Sequence, residues 1–185
     1  MASILNVDQI NNAAGTSAVT IDPSTGKASF PNGANLPAGS VVQVKTFATT
    51  AQTTVSSVAA YTTILTGSIT TQYANSIIVV QGVVPFYSNN PNANGWTNAA
   101  YIQLQENSTI VAGYEHPGPL SSMEFSQCVP VLFNSGQKSV GTYTYDISTR
   151  PVVGGDPHYF GRNTTGSAGS AAASYTRMTL MEIAQ

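Results

Sequence analysis

Hydrophobic residues along this chain alternate with polar ones or cluster in short blocks, and the 3.6-residue period of a helix is almost absent. Segments 41–50, 57–70, 75–87, 98–107, 108–116, 122–133, 139–150 and 173–185 are rich in β-branched or aromatic residues. Gly, Pro, Asn or Ser clusters bound each of them. In VGTYTYDI, Tyr143, Tyr145 and Ile147 face one way and Thr142, Thr144 and Asp146 the other, the two-residue period of a half-buried antiparallel strand. IIVVQGVV is almost continuously apolar, which predicts a strand near the centre of a sheet. The expected fold is all-β: an antiparallel, jelly-roll-like β-sandwich body over 38–185, preceded by a short N-terminal β-arm over 1–37.

That arm, SILNVDQINNAAGTSAVTIDPSTGK and its continuation, has two or three very short strands separated by polar turns. A hairpin of this size is marginal in water on its own. Its apolar residues Ile4, Leu5, Val7, Ile10, Val19, Ile21 and Phe30 need a surface from elsewhere. Copies of the arm in a symmetric oligomer would supply one, as would another protein; folding back onto the body is the competing arrangement. PNGANLPAGS (31–40) is the expected junction between arm and body.

Composition narrows the function. Only 8% of the 185 residues are charged, against roughly 25% in an ordinary soluble domain. Ser, Thr, Asn and Gln make up 66 positions, so the exposed surface is neutral and rich in hydroxyls and amides. So little charge gives weak protection against self-association, which suits a permanent assembly. The net charge of −2 and the lack of a basic cluster argue against a nucleic-acid partner. No apolar run approaches the roughly 20 residues that span a bilayer, so membrane insertion is not expected. The N-terminus has neither the basic cluster nor the apolar segment of a signal peptide.

Candidate chemistry is thin. Cys128, the sole cysteine, lies in FSQCVPV, where a buried and inert thiol is expected. Glu115, His116, Asp156 and His158 would make four metal ligands if their two loops met, but no recognised ligand spacing is present, and no metal or cofactor is expected. No nucleophile elbow, P-loop or dinucleotide fingerprint occurs, and the carboxylates form no motif, so no catalytic residue is assigned and an enzyme is not expected. Binding suits the sequence better, because aromatic rings stack on sugar rings while amides and hydroxyls bond their hydroxyl groups. Tyr87, Trp96, Tyr114, His116, His158 and Tyr159 are the candidate glycan or receptor contacts, in or beside loops 87–98, 113–122 and 150–174. Trp96 also fits as a cap on the open end of the core.

The opening ILNVDQINNAAGTSAVTIDPSTGKASFPNG resembles a segment that recurs in tail-fibre and related virion proteins of bacteriophages, marine phages in particular. LPAGSVVQV and the terminal YTRMTLMEI are similar to the start and the last strand of the body domain that follows it there. The resemblance covers both ends of the chain; the middle matches only in its Thr-rich strands and variable loops. It implies a virion structural protein made in the bacterial cytoplasm, a homotrimer joined through its N-terminal segments, with a β-sandwich body and no cofactor. Family members are often pieces of much longer fibres, whereas here the motif stands at Met1, with no coiled coil or β-helix repeat. The expected role is a short tail fibre or knob, held to other virion proteins by the arm and meeting host-surface glycan with its loops. A capsid decoration (cement) protein, or a carbohydrate-binding or carbohydrate-cleaving module, are the alternatives.

Overall fold

A computed structural model describes residues 9–11, 13–15, 17–26, 28–29, 36–88, 99–116, 125–152, 158–161 and 175–185. The chain divides into two compact units, Met1–Pro37 and Ala38–Gln185. All regular structure among the described residues is β.

The first unit holds β1 (Gln9–Asn11), β2 (Ser17–Ile21) and β3 (Ala28–Ser29) in one antiparallel sheet, with β2 in the middle. Ile10 sits opposite Val19, which puts both, with Ile21, on one face. Ile10 is 49% exposed, and Val19 and Ile21 are half-buried. Ile4, Leu5, Val7 and Phe30 lie outside the described residues. The turn from β2 to β3 is built by Asp22, whose Oδ1 accepts from the Ser24 and Thr25 amides at 2.8 and 2.9 Å and from the Ser24 hydroxyl at 2.6 Å. Gly26 closes it at φ +67°, donating its amide to the Asp22 carbonyl.

The second unit contains β4 (Val41–Thr49), β5 (Thr53–Val55), β6 (Thr62–Thr70), β7 (Ile77–Ser88), β8 (Ala100–Glu106), β9 (Thr109–His116), β10 (Phe125–Asn134), β11 (Thr142–Pro151), β12 (His158–Phe160) and β13 (Thr176–Ile183). They form two antiparallel sheets. One runs β4-β13-β7-β12-β5 with β10 added to β7; the other runs β6-β11-β8-β9. β7, the near-continuous apolar run, is central. β13 pairs with its first half and β12 with its last three residues along one edge, while β10 covers the other edge. The pairs β4–β13, β6–β11, β7–β10 and β8–β9 nest one inside the next, as in a long antiparallel ribbon wound around itself.

Alternation along these strands sends one set of side chains between the sheets. Ile78, Val80, Val84 and Phe86 of β7, with Met178 and Leu180 of β13, meet Leu65, Ile69, Ile102, Leu104, Tyr145 and Ile147 of the other sheet in one buried cluster. Each such side chain contributes about 1.5–3 kcal/mol through burial. On the β6/β11 face hydroxyls pair across the strands: Thr63 with Ser148 at 3.0 Å, Ser68 with Thr144 and Thr70 with Thr142 at 2.9 Å. The β4/β13/β7 face carries two rows of apolar side chains, Val44–Met181–Val79 and Val41–Ile183–Ile77, beside a polar row, Thr46–Thr179–Gln81, in which the two threonine hydroxyls pair at 3.4 Å.

Glu182, in the TLMEI phrase, is fully buried. Its Oε1 accepts from the Gln72 amide (2.9 Å), the Tyr73 amide (3.0 Å) and the Ser76 hydroxyl (2.9 Å); its Oε2 accepts from Gln43 Nε2 at 2.6 Å. The carboxylate thereby fastens the β6–β7 turn to the last strand.

Three expectations are corrected. Cys128 is exposed, because β10 is an outer strand and places this residue on the open face, with Val129 and Val131 turned inward. Segment 57–70 is not one strand: a bend at 58–60 precedes β6. HYF (158–160), expected within a long loop, is a strand between β7 and β5.

Two outcomes follow. Glu182→Ala should lower unfolding free energy in urea titrations by about 3 kcal/mol, because two buried amides lose their acceptor; Glu182→Gln, which keeps one acceptor oxygen, should cost about 1 kcal/mol. The Ser24 hydroxyl, then the Thr25 and Ser24 amides, hold the Asp22 carboxyl down at about 2 rather than 3.8. Since the folded value is depressed, the turn's stabilisation is full above about pH 4 and is lost as pH falls through about 2. A carbon-detected NMR titration of the Asp22 carboxyl checks this; a midpoint near 3.8 would contradict it.

Candidate functional site

The registers sort the body's connections to two opposite ends. At one end lie the turns 71–76 between β6 and β7, Asn107–Ser108 between β8 and β9, and 135–141 between β10 and β11. Asn107 and Ser108 adopt φ of +47° and +68°, as a two-residue hairpin turn requires. The chain also enters the body at this end, where the Gly39 amide donates to the Ala184 carbonyl and Val41 pairs with Ile183.

The loops singled out in the sequence leave from the other end. Ser88, where β7 stops, is opposite both Phe125, where β10 starts, and His158, where β12 starts. Ala100, where β8 starts, is opposite both His116, where β9 stops, and Pro151, where β11 stops. Segments 89–98, 117–124 and 153–157 are therefore all anchored at one end of the sandwich. These segments themselves, Trp96 and Asp156 included, lie outside the described residues.

Aromatic side chains build the rim of that end. On the inner side Phe86 stacks on His158 (centroids 6.1 Å apart, planes 6° apart) and on Phe160 (5.7 Å). On the outer side Tyr87 lies 5.9 Å from Tyr159. Gly161 ends β12 at φ +82°, donating its amide to the Pro85 carbonyl. A Cβ there would come within 2.6 Å of the Ala51 carbonyl oxygen, so the close approach of the two backbones requires glycine.

The structure assigns the candidate contact residues different roles. His158 is fully buried and Tyr87 is 4% exposed, so neither is a surface contact as expected; the β12–β7 pairing turns them into packing. Tyr159 remains half-exposed. Tyr114 is a tie between the sheets: its hydroxyl accepts from the Leu132 amide at 3.0 Å and donates to the Leu132 carbonyl, covering part of the β10 edge. His116 ends β9, and its side chain lies outside the described residues. Among the described residues no three His, Cys, Asp or Glu side chains gather as metal ligands.

Two clusters escaped the sequence reading. Arg150 stacks 4.5 Å from the Tyr101 ring and 5.1 Å from the Tyr61 ring while donating to the Val58 carbonyl at 3.2 Å, which holds the 58–61 bend near the loop-bearing end. At the chain-entry end, Glu106 accepts from Lys138 at 2.5 Å and from the Tyr145 hydroxyl at 2.7 Å. Burial, then the Glu106 carboxylate, push the Tyr145 phenol well above its usual range. With both oxygens engaged, Glu106 acts as a brace. Only sequence-distant register brings either cluster together, so no local motif announces it.

Gly161→Ala should loosen the rim without unfolding the body: amide hydrogen exchange at Tyr159 and Phe160 should quicken at least tenfold while β13 is unchanged. Unaltered protection at β12 would show that the glycine is not needed there.

No protein-family model matches the chain, and no curated protein matches it.

Proposed function

We propose that this chain is a structural protein of a bacteriophage virion: a short homotrimeric tail fibre or knob, anchored through residues 1–37, that presents its loops to the host surface. The observation that carries the reading is the polarity of the body. Three connections start from one end, two of them eight residues or longer (89–99 and 117–124), and the chain enters at the other. An appendage needs that division, with attachment at one pole and contact at the opposite one.

Two further features support it. Counting β4, β6–β11 and β13 as eight strands, with β5 and β12 as additions, the layers read 1-8-3-6 and 2-7-4-5, an order that supports a jelly-roll reading. Jelly rolls recur in viral shells and in lectins. The N-terminal phrase and the closing TLMEI supply the resemblance to phage fibres, and Glu182 within that phrase locks the last strand to the β6–β7 turn. The surface offered to a host glycan is the loop-bearing end, with Tyr159 at its rim and Trp96 in the segment that follows β7.

Immunogold electron microscopy of purified particles carrying this protein tests the reading. A few copies at the tail are expected. Abundant copies at symmetric head positions would move the assignment to capsid decoration, and label on no particle would overturn the virion role.

A further inference from the structure

The outer face of the β6-β11-β8-β9 sheet changes character next to the loop-bearing end. Arg150 of β11 is opposite Tyr101 of β8, and Tyr101 is opposite Glu115 of β9, so the three cross the sheet in one row. Tyr61, just before β6, extends that row on the far side of Arg150. The guanidinium lies 4.5 Å from the Tyr101 ring and 5.1 Å from the Tyr61 ring. Among the described residues only its Nη1 is engaged, donating to the Val58 carbonyl at 3.2 Å and the Pro151 carbonyl at 3.4 Å. No carboxylate among the described residues pairs with this cation. Glu115 stands two strands away, and Asp146, four residues along β11, takes the Thr66 hydroxyl at 2.5 Å.

The next row on the same face is Thr63–Ser148–Gln103–Gly113. Thr63 and Ser148 satisfy one another at 3.0 Å. Gln103 is 4% exposed, yet its amide makes no hydrogen bond to any described residue. A buried amide left without partners costs about 1–3 kcal/mol. Gly113, opposite it, is exposed, and a Cβ there would meet nothing within 4 Å. The missing side chain leaves a notch beside the Gln103 amide.

We infer that this face binds an acidic saccharide, with a carboxylate on the open edge of Arg150 and ring hydroxyls on Gln103 and Glu115. The inference rests on the reading above that the protein meets host-surface glycan, and it names the chemical class of that glycan. The carboxylate follows from Arg150. A guanidinium held between two rings and tied to backbone carbonyls is pre-oriented, so a carboxylate gains its hydrogen bonds with little ordering cost. The sugar follows from the neighbours. Gln103 can donate to one hydroxyl and accept from another, and the Glu115 carboxylate accepts. Tyr61, 37% exposed, and Tyr101 supply the aromatic surface that sugar rings pack on. Two strand spacings, about 10 Å, separate Arg150 from Glu115, which keeps the ligand's carboxylate clear of the protein's. A bare anion would use the cation alone and leave both the notch and the buried amide idle.

Ligand-observed NMR titration of the full chain tests the site, with a galacturonic acid tetramer and the galactose tetramer of the same linkage as probes. The acidic tetramer should bind at least tenfold more tightly than the neutral one and slow amide exchange at Tyr101, Gln103 and Gly113. Arg150→Gln should abolish that preference. Because Arg150 also holds the 58–61 bend, Gly113→Glu serves as a second variant. It keeps the guanidinium, fits the open space, and should weaken the acidic tetramer at least tenfold by filling the notch with like charge. Equal affinity for the two tetramers, wild-type affinity in either variant, or no binding of either tetramer would overturn the inference. So would displacement of the acidic tetramer by equimolar inorganic phosphate, the mark of a bare anion site. Exchange slowed only in residues 89–99 or 117–124 would overturn this site and leave host contact at the loop-bearing end standing; the labelling of particles decides the virion role separately.

Discussion

The burial of one long strand on both edges and on its inner face sets the plan of the body. β7 is twelve residues long, and no single neighbour on its β13 side spans it. β13 takes the first half and β12 the last three residues, while β10 runs along the other edge. Because the inner side chains of β7 are fully buried, a one-residue slip of any partner would carry that partner's apolar set to the wrong face. The register of β7 thus fixes which connections emerge at which end, and through them the polarity on which the proposed function rests.

That plan gives the molecule two asymmetries. Along the strands, the turns 71–76, 107–108 and 135–141 and the chain entry lie at one end, and the connections 89–99, 117–124 and 152–157 leave from the other. Across the layers, the β6/β11 face is a ladder of hydroxyl pairs, whereas the β4/β13/β7 face sets two apolar rows beside a polar one. An isolated globule needs no such polarity along the strands; the proposed appendage, attached at one pole and exposed at the other, would use it. The low charge content belongs to the same account, since a surface with so few charges resists close packing of neighbours only weakly.

The strand framework was largely legible in the sequence, because its signal is local. Continuous apolarity marked β7 as central, and the alternation of Tyr143, Tyr145 and Ile147 marked the buried side of β11. What failed was whatever depends on partners far along the chain. HYF at 158–160 sits in a Gly-rich stretch and becomes a strand only because β7 extends past the reach of β13. The same pairing buries His158 and Tyr87, whose loop-like surroundings suggested exposure. Cys128 went the other way, as alternation in FSQCVPV fixes which residues share a face but not which face is open. Glu182 gave no sign of burial, since its four donors come from residues 43 and 72–76, more than 100 positions away.

The account holds that this protein is a component built to be joined to copies of itself. Native mass spectrometry of the unmodified full-length chain, at micromolar concentration and near-neutral pH, tests that claim most directly. The predicted result is a complex of three 19.2 kDa chains that persists on dilution. A single 19.2 kDa species across the whole concentration range would contradict it.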